Sequence, residues 1–475
     1  MKNFIKISVG ALGMVAVVSS CVPSITQRVA NSTVPDGYGD SQDTTNIAAM
    51  DWRDYFDDPY LEALIDSALM NNQELNIFLQ EMQMVRNEAM AQKGEYLPFV
   101  DLGVGAGAEK VGRYTRPGAV EANTEIMDGK EFPEPLGDFL IGATASWEVD
   151  IWHKLRNARQ ATLTRYLGTV EGQNFLVTNL IAEIASSYYE LLALDNQLAI
   201  LQQNIKLQSD ALEIVKLQKS AARVSELAVR RFEAQVLGTR SLQFDIQQQI
   251  VEVENRINFL VGRFPQAVPR QGGDFEAIPI REVLAGVPAQ LLENRPDVRQ
   301  AELELEATKL DVQVAKANFY PSLGLSAGLG MQAFNPKLLV TSPESLMFGL
   351  AGDLAAPLVN RNAIKAMYYN ANAKQIQAVY DYEQTLLKAY IEVINQLANL
   401  NNLQSGYDLK SRQVQALTES IEISNNLFRS ARADYMEVLL TQREALESRF
   451  ELIETKKEQL IAQVQLYRAL GGGWQ

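Results

Sequence analysis

Residues 71–107 read NNQELNIFLQEMQMVRNEAMAQKGEYLPFVDLGVGAG and residues 294–330 read NRPDVRQAELELEATKLDVQVAKANFYPSLGLSAGLG, and the two stretches align without a gap at an offset of 223 residues. In each, helical spacing of apolar residues gives way at a proline to strict alternation. Lys93 and Pro98 fall on Lys316 and Pro321, while Leu102, Gly105 and Gly107 fall on Leu325, Gly328 and Gly330. A helix running into Pro98 or Pro321 must stop, because the ring disfavours the α region in the residue before it and carries no N–H. The chain therefore holds two copies of a helix, a break and an alternating strand.

Beyond Pro98, Val100, Leu102, Val104, Ala106 and Ala108 alternate with Asp101, three glycines and Glu109. A period of two predicts a strand with one apolar face. Loop signals at Pro117-Gly118, Asp128-Gly129, Pro133 and Pro135 precede a return strand with Phe139, Ile141, Ala143, Ala145, Trp147, Val149 and Ile151 on one side. Gly142, Thr144, Ser146, Glu148 and Asp150 take the other. The second hairpin repeats this plan, with Leu323 to Met331 going up and Leu346 to Leu358 returning across a shorter loop. Alternating runs of about 10 residues are long enough to cross a bilayer as tilted strands. The same alternation also fits a soluble antiparallel sheet with one wet face.

A very long helical region follows each hairpin. From Lys154 to Leu217 there is no proline, and Leu191, Leu194, Leu198, Leu201, Ile205, Leu212 and Val215 keep heptad-like spacing. The helix turns near Lys219 to Ser225 and returns from Glu226 to Gly262; the second half turns near Leu427 to Tyr435 and returns to Leu470. These returns align at an offset of 209, with Val229 on Val438 and Gly262 on Gly471.

The predicted layout is lead-in helices over 51–97, a hairpin over 98–151 and long helices over 152–263. A connector over 264–296 precedes a lead-in helix over 297–320, a hairpin over 321–358, long helices over 359–470 and a short tail over 471–475.

Composition narrows the function classes. A formal net charge of −15, with Lys and Arg spread along the helices, argues against a nucleic-acid partner. One Cys and one His among 475 residues exclude a Cys and His zinc site by counting. No nucleophile with a base stands out, so the reading is not that of an enzyme, and no cofactor is expected. The glycines at 103, 105 and 107 sit in a strand and open no helix, so they are no phosphate loop.

The single Cys, Cys21, follows Lys2, Lys6 and an apolar run from Ile7 to Val18, the layout of an export signal too short to span a bilayer. Val18-Ser19-Ser20-Cys21 resembles a bacterial lipobox, which implies a signal peptide over 1–20 and a lipidated Cys21. An ordinary signal peptide that happens to contain Cys fits the same run. Residues 21–50, rich in Ser, Thr, Pro, Gly and Asp, read as an extended tether.

Four strands cannot seal a barrel, and an open edge in hydrocarbon leaves backbone groups unsatisfied at several kcal/mol each. Other copies must complete the wall. Two would give 8 strands with a filled interior; three would give 12 and room for a pore.

AGVPAQLLENRPDVRQAE (285–302), FYPSLGLSAG, ASWEVDIW and LYRALGGGW together resemble the TolC-like outer-membrane factors, most closely their lipoprotein efflux branch. The resemblance covers Trp52 to Trp474. It implies a mixed α+β membrane fold with a two-fold internal repeat, each half one transmembrane β-hairpin plus long coiled-coil helices. Three chains would form a 12-stranded β-barrel in the bacterial outer membrane, continued by a periplasmic α-barrel. It further implies a passive homotrimeric duct of a tripartite efflux system, docked to a membrane-fusion adaptor fed by an inner-membrane pump. A type I protein-secretion duct and a lipid-anchored coiled-coil envelope scaffold are the alternatives.

Under the resemblance the helix turns are periplasmic tips that grip the adaptor and close the pore. By position, Arg223, Arg432 and Asp434 are candidate tip contacts, and Glu226 and Glu437 candidate gate residues. The same residues also fit helix caps and solvated charges. Ala222 and Ala431 stand near where the family's usual turn glycine would be. Asp101, Glu109, Glu148 and Asp150 face away from the apolar side and would make acidic lumen rings, predicting cation preference. His153, beside Trp152, reads as interfacial packing. Arg at Ala143 or Leu325 is expected to abolish assembly, and Arg at Gly142 mainly to alter conductance.

Overall fold

The computed structural model describes residues 22–38, 44–273, 275–282, 284–357, 359, 361–430 and 432–474, with Arg429 described by its backbone alone. The leader over 1–20, Cys21, Leu358 and the turn residue Ala431 lie outside the described residues. The elements are α1 (Trp52–Phe56), α2 (Pro59–Asn71), α3 (Gln73–Glu95), β1 (Phe99–Glu109), α4 (Arg116–Glu121), β2 (Glu125–Met127), β3 (Lys130–Glu131) and β4 (Leu136–Val149). There follow α5 (Lys154–Ser220), α6 (Glu226–Val261), α7 (Leu291–Asn294), α8 (Pro296–Ala317), β5 (Ser322–Ala333), β6 (Leu346–Ala355), α9 (Asn362–Arg429) and α10 (Tyr435–Ala469). They fall into two compact units.

The first unit takes the described residues up to 29, with 83–167 and 303–380. Its centre is one antiparallel sheet of order β1-β4-β5-β6. The register aligns the alternation of all four strands. Leu102 pairs with Ala143, Ala143 with Leu329 and Leu329 with Phe348, so one face is apolar from edge to edge. Asp101, Thr144, Gly328 and Gly349 make the matching rung of the opposite face. Leu102, Val104, Phe348 and Leu350 are 87, 81, 80 and 82% exposed. A soluble sheet would cover such a face, whereas lipid is its natural neighbour. The loop between β1 and β4 carries α4 and the small β2–β3 ribbon, and Glu134 ties it by ion pairs to Lys110 and Arg113. Turn residues alone forecast only a loop there.

The segment expected to be a tether is extended but docked. Val22 and Ile25 pack on Val312, Ala315, Phe319 and Tyr368, covering apolar side chains of α8 and α9. Further along, the Thr26 and Arg28 carbonyls accept from Asn372 and Gln375, at 3.4 and 2.8 Å, and the Arg28 guanidinium sits over the Tyr380 ring. The segment is therefore a strap.

The second unit takes residues 30–82, 168–302 and 381–475. Here the strap continues, with the Asn31 N–H donating to Glu383 at 3.0 Å and Tyr38 stacking on Tyr390. The heptad positions form the core: Leu191, Leu201, Ile257, Ile453 and Tyr467 are buried. Tyr55 stacks on Tyr467 with ring centroids 4.2 Å apart, and its hydroxyl donates to the Gln463 carbonyl. Burying these phenols disfavours the phenolate, raising the Tyr55 and Tyr467 pKa values and pushing Tyr189 up to about 12.

The duplication recurs here as a joint. The Asn72 side-chain amide donates to the Leu260 carbonyl at 2.8 Å, and Arg295, which aligns with Asn72, donates to the Ala469 carbonyl at 3.0 Å. Leu260 aligns with Ala469, so the two contacts are equivalent. The second joint adds Trp474, whose indole N–H donates to the Asn294 carbonyl at 3.1 Å. The motifs ENRPDVRQAE and LYRALGGGW are two halves of this one clasp.

Candidate functional site: a two-faced wall and paired helix tips

The polar face of the sheet is built mainly from small residues and carboxylates, with Leu140, Met347 and, at the strand ends, Phe99 and Leu136 also on it. Asp101 and Glu109 stand on β1, Asp138 and Glu148 on β4, and Asp353 on β6, all at positions of one parity through the register. No Lys or Arg occurs in any of these four strands. Asp138 and Asp353 were not singled out from sequence, although alternation counted back from Glu148 and Leu354 reaches both.

The expected lumen group is corrected at Asp150. Asp150 lines no open face: β4 ends at Val149, and the Asp150 side chain is 2% exposed. It accepts from the Leu155 and Arg156 backbone N–H groups at 3.1 and 3.0 Å and from the Arg156 side chain, capping the first turn of α5. Burial alone would raise its carboxyl, but these donors outweigh burial and hold it below the ordinary carboxylate value. Glu148 keeps its place on the polar face but is paired with Lys154. Asp101 and Glu109 are exposed there.

Gly142 is also not a free position of the polar face. A Cβ there would meet the Leu329 carbonyl oxygen at 2.9 Å and the Gly330 α-carbon at 3.0 Å, so a side chain would prise β4 from β5. Gly103, Gly328 and Gly349 are the open positions, for a Cβ on any of them would find no neighbour within 4 Å.

At the strand ends Trp152 stacks on Tyr320 with centroids 4.7 Å apart and donates to the Pro321 carbonyl at 2.7 Å. Trp147 donates to the Tyr96 carbonyl at 3.1 Å. Amphipathic rings at the end of an apolar band are the pattern of a membrane–water boundary. His153, with a φ of +59°, stands exposed beside this aromatic pair and is not packed as expected.

The tips lie in the second unit, and the structure brings them together. Leu212, Val215, Phe232 and Val236 of α5 and α6 share one buried cluster with Leu439 of α10, and Tyr435 packs against it. Ala222 takes the left-handed conformation, with a φ of +55°, and the Arg223 N–H returns to the Gln218 carbonyl. An alanine thus occupies the conformation that glycine usually supplies. In the second turn the Arg432 N–H returns likewise to the Leu427 carbonyl. Ser225 caps α6 through its hydroxyl, while Asp434, its counterpart on α10, makes no side-chain cap hydrogen bond. Arg223, Arg432, Asp434 and Glu437 are exposed, and among the described residues none has an ion-pair partner. Glu226 differs: hydrogen bonds from Lys219 and charge from Arg230 hold its carboxyl below the ordinary value. Neither wall nor tips contain a metal cluster among the described residues.

Comparison with known proteins agrees with this geometry. The chain is 26% identical over 424 residues to the pyoverdine export outer membrane protein OpmQ of Pseudomonas aeruginosa, covering 89% of this chain and 87% of that one. It is 25% identical over 422 residues to the cation efflux system protein CusC of Escherichia coli, covering 89% and 88%. The solved outer-membrane channel OprN superposes with a TM-score of 0.83 at 24% identity, over 95% of this chain and 99% of that one. The sequence pattern of the family described as "Outer membrane efflux protein" matches residues 64–263 and 287–472, and the chain belongs to that family of outer-membrane efflux channels.

Proposed function

We propose that three copies of this chain close their sheets edge to edge into a 12-stranded outer-membrane barrel whose lumen is the polar face, continued by their helices as a periplasmic α-barrel. The observation that carries the reading is the sheet itself. It is apolar on one side over its full width, and among the described residues β1 and β6 stand at its edges without an outer neighbour. Unsatisfied edges are untenable in hydrocarbon, so the wall is finished by further copies.

The duct is passive and serves small-molecule efflux as part of a tripartite assembly, with a periplasmic adaptor at the tips and an inner-membrane pump supplying the energy. Arg223, Arg432 and Asp434, exposed and free of ion pairs among the described residues, are the adaptor contacts. Glu226 and Glu437 stand one turn inside them and act at the constriction. Cys21 carries the lipid anchor: the docked strap begins at Val22, against the helices that adjoin β5 and β6.

Planar-bilayer recording on the purified full chain tests the proposal. Discrete conductance from an assembly of three chains is expected; a monomer in detergent, or an assembly that conducts nothing, overturns it. A cysteine at Arg432 is expected to crosslink to a co-expressed adaptor, and its failure with assembly intact moves the contact elsewhere.

A further inference from the structure

The first unit holds a groove of about 660 Å³ that the conduit reading leaves unused. It is lined by Ile25 and Gln27 of the strap, by Trp152, His153 and Asn157 at the start of α5, by Gln313, Lys316 and Tyr320 around the end of α8, and by Tyr368 of α9. Two chemistries meet in it. Ile25, Val312, Ala317 and the faces of Trp152, Tyr320 and Tyr368 give an apolar floor. Gln27, His153, Gln313, Lys316 and Tyr320 bring polar groups, and among the described residues not one carboxylate is in the lining.

That last point stands out in a chain of net charge −15. Lys316 is exposed, and among the described residues it has no ion-pair partner. The Leu155 and Arg156 N–H groups at the start of α5 are already taken by the Asp150 carboxylate, which offsets the positive character of the helix end. Lys316 does. The groove lies at the membrane end of the sheet, since Trp152 and Tyr320 form its wall and sit close to the ends of β4 and β5.

We propose that this groove seats the headgroup end of an anionic membrane phospholipid, its phosphate on Lys316 and its glycerol and first methylenes along the Trp152–Tyr320–Tyr368 floor. A cation without a carboxylate partner, beside aromatic rings at a membrane boundary, offers what such a headgroup needs: charge for the phosphate, donors for its oxygens and an apolar bed for the chain roots. The inference rests on the sheet lying in the membrane. The strap forms one rim, so a lipid held there also pins the strap to α8.

The test is lipid binding by the full chain in mild detergent, titrated with phosphatidylglycerol and, separately, phosphatidylcholine, and read by native mass spectrometry. Conductance of the same preparations is recorded in parallel, so a failure of the membrane reading is seen independently. Retention of phosphatidylglycerol over phosphatidylcholine is expected for the unaltered chain. One lysine near a membrane surface corresponds to a loss of about fivefold on the neutralising Lys316→Gln, and the charge reversal in Lys316→Glu should exceed it. Lys316→Arg should retain binding, and Lys93→Glu, the aligned lysine outside the groove, should leave it unchanged. Equal binding by Lys316→Glu and the unaltered chain overturns the proposal, as does an equal loss on Lys93→Glu. Should Lys316→Glu fail to assemble, the fivefold loss on Lys316→Gln is the reading that decides. Binding that appears only once Cys21→Ser removes the anchor would show the groove occupied by the chain's own acyl groups, and would likewise overturn it.

Discussion

The carbonyl oxygen of Asn71 lies against the α-carbon of Gly262, which has a φ of +78°; a Cβ on Gly262 would fall 2.3 Å from that oxygen. The relationship is duplicated, for Gly471, with a φ of +90°, meets the Asn294 carbonyl with a corresponding distance of 2.4 Å. Both glycines end long helices, and both carbonyls end the short helices before the lead-in helices.

Gly262→Ala and Gly471→Ala therefore combine a left-handed alanine, about 1–2 kcal/mol, with a backbone clash. Each should destabilise the fold by more than that amount in urea melts of the assembled protein. Gly238, inside α6 with nothing within 4 Å, is the control, and Gly238→Ala should stabilise by about 0.5–1 kcal/mol.

The tip turn carries the opposite case. Ala222 already holds a φ of +55°, so Ala222→Gly relieves strain of about 1 kcal/mol and should raise the melting midpoint. A lower midpoint would mean that the turn is held open by contacts the glycine loses.

The cap at Asp150 gives a pH dependence. Its folded pKa lies below the unfolded value, so its stabilisation is present above about pH 4 and is lost as the pH falls through the lowered folded value. Asp150→Ala should cost about 1–2 kcal/mol at neutral pH, as lost caps do, and flatten the acid limb of the stability profile. An unchanged acid limb would remove Asp150 from the cap.

The polar face predicts a selectivity. Asp101, Glu109, Asp138 and Asp353 with no strand lysine or arginine favour cations, and Asp353→Asn should lower the cation-to-anion permeability ratio. Gly328→Arg, at an open position, should reduce conductance with assembly intact, whereas Gly142→Arg should impair assembly. Ala143→Arg, on the apolar face, should prevent membrane insertion, at about 2–4 kcal/mol for a charge near the midplane.

A buried polar layer offers a stability test in the helices. Both amide atoms of Gln208 and the Oε1 of Gln442 are buried without a partner among the described residues, one turn from Leu212 and Leu439 of the tip cluster. Orphaned groups of this kind cost about 1–3 kcal/mol each, so Gln208→Leu should stabilise the helical bundle against urea.

How much was legible in the sequence follows from the range of each interaction. The four strand faces were readable because alternation is local, and Leu102, Ala143, Leu329 and Phe348 fell on one side before any pairing was known. Long helices were readable from their heptads. The strap was not, since Arg28 finds Tyr380 at 352 positions' distance and no local period announces it. Asp150 obeyed the strand's parity, yet the strand stopped one residue short and the carboxylate turned to the helix behind it. Gly142 obeyed parity too, and its constraint comes from Gly330 across the sheet. At the joints, both motifs were visible, but their mutual contact between Arg295 and Ala469 appears only once the chain is folded.

The sheet has an even number of strands, and its two borders, β1 and β6, differ. Adding the next copy therefore sets unlike borders side by side and preserves up–down order across the seam, which a face-to-face pair of identical borders would forgo. Such head-to-tail joining has no natural stopping point at two; the ring size is decided by how sharply each segment curves, and an error in curvature would yield open arcs instead of misfolded subunits.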